Sequence, residues 1–188
     1  MNNANNDTLS MGSATFAAKR AADVIFVLQN KEQLAYNELA ARLNGILRAY
    51  GESSPDVAAN GLDELKDVAK KLYAVFTATD TAIAAERINA LLDTYTHKPR
   101  LSAHGNSPWH LHVDSNDHAP WAEWFAASSA FALAVLIAER QQNPAGLCAS
   151  PTCGRPFIDL GKGGGRKYCS PKCATRERVA AYRKKGKL

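Results

Sequence analysis

The chain's four cysteines, Cys148, Cys153, Cys169 and Cys173, all fall in the stretch CASPTCGRPFIDLGKGGGRKYCSPKC. They form two close pairs, C-x4-C and C-x3-C, separated by fifteen residues. Four thiolates can close a tetrahedron around zinc at about 2.3 Å each, and such closed sites are structural rather than catalytic. One tight turn supplies two vertices, and the second pair supplies the others if the intervening segment folds back. The spacing predicts that it does: Pro156-Phe157-Ile158-Asp159 as a strand, GKGGG as a turn and Arg166-Lys167-Tyr168-Cys169 as a returning strand. Ser170 then suits an N-cap and Pro171 the first helical position, so that Cys173 enters the first turn of a helix. Knuckle, hairpin and helix make a treble-clef-like module. A segment of ~40 residues buries too little apolar surface to fold alone, and zinc supplies roughly 10–16 kcal/mol of folding free energy. One structural zinc ion is therefore expected; a redox centre or an iron–sulfur cluster would draw on the same thiols.

What the module would present is the helix CATRERVAAYRKKGKL. Residues 1–146 hold 12 Lys and Arg against 16 Asp and Glu, whereas residues 147–188 hold 11 against 2. Such asymmetry points to a basic module that meets a polyanion, carried on an acidic body. At about 100° per residue, Arg176, Arg183 and Lys187 share a face with Lys184 beside it, and Val179 and Tyr182 form an apolar stripe suited to docking on the hairpin. Arg166, Lys167 and Lys172 add charge from the hairpin and the turn. These seven cations are the candidate contacts to duplex DNA, through phosphates and base edges. A solvated basic face on a structural knob is the plainer use of the same residues.

The elements that must position this module are helical. Residues 1–13 are polar and read as a disordered leader. Apolar spacing predicts helices over Ala14–Leu28, Lys31–Tyr50 and Leu62–Thr77, with Asp80 capping the next, in which Ile83, Ile88, Leu91 and Leu92 are spaced for burial. Ser54 and Pro55 look like an N-cap and first helical residue. Between Lys98 and Asp117 the period changes, and RLSAH and WHLHV predict a small β-hairpin. Ala119–Gln142 returns to a broadly apolar, central helix, and residues 143–146 read as a linker into the cysteine module at 147–188. The expected fold is mostly α: a helical N-terminal domain over 14–142 with a small β-hairpin, plus the zinc finger. The greasiest stretch, Trp124–Ala138, falls short of the ~18–20 apolar residues of a membrane span. A cytoplasmic protein with reduced thiols and no membrane partner is expected.

Other constellations carry less. His104, His110, His112 and His118 gather around the hairpin; His110 and His112, two apart on a strand, share a face, with Asp114 nearest on it. Trp109, His110 and His112 are the candidate small-molecule pocket. GKGGGRK lacks the ending and the strand-to-helix context of a phosphate loop, and no nucleophile elbow, triad or paired-carboxylate signature emerges. The chain does not read as an enzyme.

Taken together, the C-x4-C pair, the strand Pro156–Asp159, the basic approach Arg166-Lys167-Tyr168, Cys169-Ser170 and the basic helix resemble the CGNR zinc-finger family of bacterial proteins, over Leu147 to Lys185. The helical body, with WHLHV before a long apolar helix, is similar to the ABATE domain that precedes the finger in that family. The motif that names the family reads Cys173-Ala174-Thr175-Arg176 here, and the second cysteine pair is one residue shorter than is typical. The resemblance implies a stress-responsive transcription regulator with a finger on DNA and a body that senses an effector or forms a homodimer. The rival reading is a zinc module for RNA or for an acidic protein partner.

Overall fold

The computed structural model describes residues 11–30, 34–52, 55–57, 61–103, 109–161 and 165–185. Six helices and two short antiparallel strand pairs make up the described chain. Helix α1 spans Met11–Asn30, starting three residues before the expected Ala14, and buries Ala18, Ala21, Ala22, Val24, Ile25 and Leu28. Helix α2, Tyr36–Ala49, buries Leu39, Ala40, Leu43 and Leu47. Its start lies inside the expected helix because Ala35 is extended; residues 31–33 lie outside the described ones.

The expected helix start at Pro55 is corrected. Pro55 and Asp56 carry no helix, and Val57 sits fully buried in the core with its N–H donating to Asn44 Oδ1 at 3.2 Å. Core burial of Val57 overrides a local capping signal; Ser54 itself lies outside the described residues. Helix α3, Leu62–Phe76, starts instead after Gly61, whose φ of 96° suits glycine alone. Asp63 and Glu64 in its first turn complement the helix dipole. Helix α4, Thr81–Tyr95, is capped as the sequence indicates: Asp80 accepts the Ile83 N–H at 2.9 Å.

Strands β1, Arg100–Ser102, and β2, His110–His112, form the expected hairpin, with Arg100 opposite His112 and Ser102 opposite His110. Helix α5, Trp121–Arg140, is the centre of the body and packs on α1, α3 and α4. At 20 residues it is long and apolar enough to cross a bilayer by length and composition, which the shorter greasy stretch did not suggest. Nine of its residues, Phe125, Leu133 and Leu136 among them, are buried within the body.

Two further corrections concern the C-terminal module. Ala145 and Gly146, expected in a linker, begin strand β3, Ala145–Leu147. Strand β4, Pro156–Ile158, pairs with β3 and not with the Arg166–Cys169 segment, which forms no strand. The hairpin therefore carries the first cysteine pair at its tip. β4 packs on α1 and α3, and Ile158 belongs to the same buried cluster as the helical body. Helix α6, Pro171–Lys185, is the last of the described elements.

Candidate metal centre

Each cysteine reaches the site for a local reason. Cys148 follows β3, and its N–H donates to the Arg155 carbonyl at 2.9 Å, closing the hairpin tip. Ser150 to Gly154 then turn tightly: the Cys153 N–H donates to the Ser150 carbonyl at 2.9 Å, and Gly154 takes a φ of 58°. Ala149 N–H donates to the Lys167 carbonyl at 2.8 Å, which brings the second pair alongside the knuckle. Ser170 Oγ accepts the Cys173 N–H at 3.3 Å, capping α6 so that Cys173 lies buried in its first turn.

The four Sγ atoms all lie within 4.8 Å of one another. Cys153 to Cys169 and Cys169 to Cys173 are each 3.7 Å. A tetrahedron with metal–sulfur bonds of about 2.3 Å has edges of about 3.8 Å. A disulfide would need about 2.05 Å. Burial pushes the Cys169 thiol up to about 12 and raises Cys153, while the Ser170 hydroxyl holds Cys173 down at about 7. Four thiols so close cannot ionise together without a cation among them, and a divalent metal supplies that charge. The donor set is all sulfur, closed, and fits one structural zinc ion.

The surroundings of the thiols hold them in place. Buried Ser150 donates to Glu177 Oε1 at 2.6 Å, and Arg176 donates to Ser150 Oγ at 2.7 Å and to Cys173 Sγ at 3.4 Å. Arg166 donates through Nε to the Tyr168 carbonyl at 2.7 Å and through Nη2 to the Cys169 carbonyl, and lies 5.5 Å from the centre of the Phe157 ring. Burial alone would raise the Asp159 carboxyl, but the N–H groups of Arg166 and Gly161 and the guanidinium groups of Arg166 and Arg140 outweigh it and hold it below the usual range. The finger is also fastened to the body. Arg155 Nη2 lies 2.7 Å from Asp23 Oδ1 and its guanidinium sits 4.6 Å over the Phe26 ring. Arg140 donates to the Gly161 carbonyl at 2.7 Å.

The candidate DNA contacts divide. Arg166 and Arg176 are exposed and also bond to the finger's own carbonyls, hydroxyl and sulfur. Lys167, Lys172, Arg183 and Lys184 are exposed, and Lys187 lies outside the described residues. Arg183 follows Arg176 on the same stripe of α6, but seven residues, about 10 Å, further along the axis. The expected docking stripe is corrected: Val179 is 42% and Tyr182 79% exposed, because Cys173, Arg176 and Glu177 claim the side facing the knuckle. The sequence reading passed over Arg178, which is exposed about 40° from Tyr182 around the helix. Its signal was present in the one fixed point of that helix, Cys173, from which the outer side can be counted.

In the body, Trp109 is 72% exposed on the hairpin. A cavity of about 1070 Å³ in the body is lined by His112, Asp114, Tyr95, Trp121 and Trp124 among others, but by neither Trp109 nor His110. His112 is therefore the one member of the expected pocket in its wall, and His104 lies outside the described residues. Arg20, which no local pattern singles out, is buried in the body, donates to Glu52 at 3.1 Å and Ser128 at 2.7 Å, and lies 4.0 Å over the Trp124 ring. Burial lowers its guanidinium to about 10.

A knuckle on a hairpin, a second thiol pair and a capped helix define a small zinc finger with four cysteines placed to hold a metal. Residues 145–186 match the family model of the CGNR zinc finger, and the match begins at the first residue of β3. No curated protein matches the chain.

Proposed function

We propose that the protein is a non-catalytic, cytoplasmic DNA-binding transcription regulator, in which the zinc finger presents α6 to duplex DNA and an ABATE-like helical body senses an effector. The observation that carries this reading is the outer side of α6. Lys172, Arg178 and Arg183 stand exposed there, around Val179 and Tyr182, and Lys184 is exposed three turns beyond Cys173. Cations interleaved with an exposed aromatic suit phosphates and base edges. Arg176 supports the finger instead of touching the duplex. The body is the natural effector site because its cavity is large, partly aromatic and walled in part by α3, on which the finger's hairpin also packs.

The test is duplex binding by the full chain across a salt series. If those four cations each neutralise one phosphate, the log–log slope is about −3.6, and affinity falls about 150-fold between 50 and 200 mM salt. Arg178→Ala and Arg183→Ala each reduce the slope by about 0.9. Unchanged slopes in both variants overturn the outer-face reading. One observation favours a second partner: Tyr182, exposed beside cations, is also suited to stacking on unpaired bases. Single-stranded RNA that displaces duplex DNA at equal concentration would select that reading.

A further inference from the structure

We propose that His110 and His112 are two ligands of a second metal site, separate from the thiolate centre and built for a divalent ion that binds nitrogen at right angles, such as nickel(II) or copper(II). The inference does not depend on DNA binding.

The two Nε2 atoms converge at 2.8 Å, from residues two apart on one side of β2. Pairing with β1 fixes that strand. Behind His112, both oxygens of Asp114 lie 3.2 Å from Nδ1. Asp114 is 4% exposed and is itself held by Arg100 at 2.7 Å. The carboxylate therefore takes the Nδ1–H of His112 and leaves its Nε2 lone pair aimed at His110, as in carboxylate–histidine–metal arrangements. At 2.8 Å without a metal, His110 Nε2–H donates into that lone pair. When an ion enters, the His110 proton moves through solvent to Nδ1, and the ring stays neutral.

The separation selects the ion. With metal–nitrogen bonds of about 2.0–2.1 Å, a tetrahedral pair stands about 3.3–3.4 Å apart and a right-angle pair about 2.9 Å. From the hydrogen-bonded 2.8 Å, the right-angle case preferred by nickel(II) and copper(II) needs the smaller opening of the pair. Zinc is the better match for the thiolates and the poorer one here. His112, 9% exposed, lies in the cavity wall and His110 is half-buried, so water or a cavity-bound donor would complete the ion's coordination.

Nickel(II) is the probe, because copper(II) oxidises thiols. The zinc-loaded, tag-free full chain is titrated with nickel chloride by calorimetry, with a zinc-sensitive dye present and histidine ring nitrogens followed by NMR. One nickel per chain is expected, with no zinc released and with the His110 and His112 signals affected. Half-buried His110 is the primary variant: His110→Ala weakens nickel binding at least tenfold while the thermal melt stays close to wild type. Asp114→Asn weakens it about tenfold to a hundredfold, and His118→Ala leaves it unchanged. Absent nickel binding, equal binding by His110→Ala, or binding that occurs only as zinc leaves would each overturn the proposal.

Discussion

Removing zinc should destabilise the helical body as well as the finger, because the finger's hairpin is part of the body's core. Ile158 is buried in the main cluster, and Leu147 and Leu160 are half-buried against it. An Ile side chain moved from core to water costs about 1.5–3 kcal/mol, and a half-buried Leu about 1. The Arg155–Asp23 pair is partly exposed and adds at most about 1 kcal/mol. Area-based values are upper estimates, so about 4 kcal/mol is the working figure. For a chain of this length each kcal/mol shifts Tm by about 2–4 °C, giving a drop of roughly 8–16 °C. All three tryptophans, at 109, 121 and 124, lie outside the finger, so their fluorescence reports the body alone. Melts are compared for the zinc-loaded chain, the chelated chain and Cys153→Ser. A tryptophan melt that stays in place while a dye records full zinc release would show that the body does not need the hairpin, and the packing argument would fail.

Two predictions concern the helical body. Burial and then the bond to Asp23 push the Tyr50 phenol up to about 12 from 10.0. A raised pKa contributes stability that is fully present below 10 and is lost as pH climbs towards 12. Tyr50→Phe should therefore be less stable by a constant margin below pH 10, and the margin should close between 10 and 12; a margin that persists at the top of that range would contradict the Tyr50–Asp23 bond as its source. Asp80→Ala removes the cap that accepts the Ile83 N–H, at a cost of about 1 kcal/mol, read as a Tm lower by about 2–4 °C. An unchanged Tm would mean that α4 is held by packing alone.

Those elements that the sequence announces are the ones whose signals are local. Leu65, Val68, Leu72 and Val75 repeat at helical spacing, and Asp80 stands where a cap must, so α3 and α4 appear where their residues ask. Ser54-Pro55 sends an equally local signal that the fold ignores, because Val57 three residues on is wanted in the core. β3 is hidden for the opposite reason. Ala145-Gly146-Leu147 has neither alternation nor β-branched residues, and it becomes a strand because Cys148 and Cys153 must share a turn with β4 opposite.

The reading of α6 turns on a point of geometry that its charge pattern alone could not settle. A helical wheel gives angles between side chains but not the direction in which the helix faces, and hydrophobic burial alone would turn the apolar residues inward. In this helix the inward direction is set by sulfur. Cys173 must meet three other thiols, so its side is the inner one. Arg176 and Glu177, next to it around the axis, are drawn into hydrogen bonds with Ser150. The two apolar residues are then left outside with Lys172, Arg178 and Arg183. A metal ligand on a short helix is thus a stronger guide to its orientation than an apolar pair. Its position also explains why Arg176, a candidate DNA contact in the sequence, bonds to the knuckle's Ser150 and to Cys173.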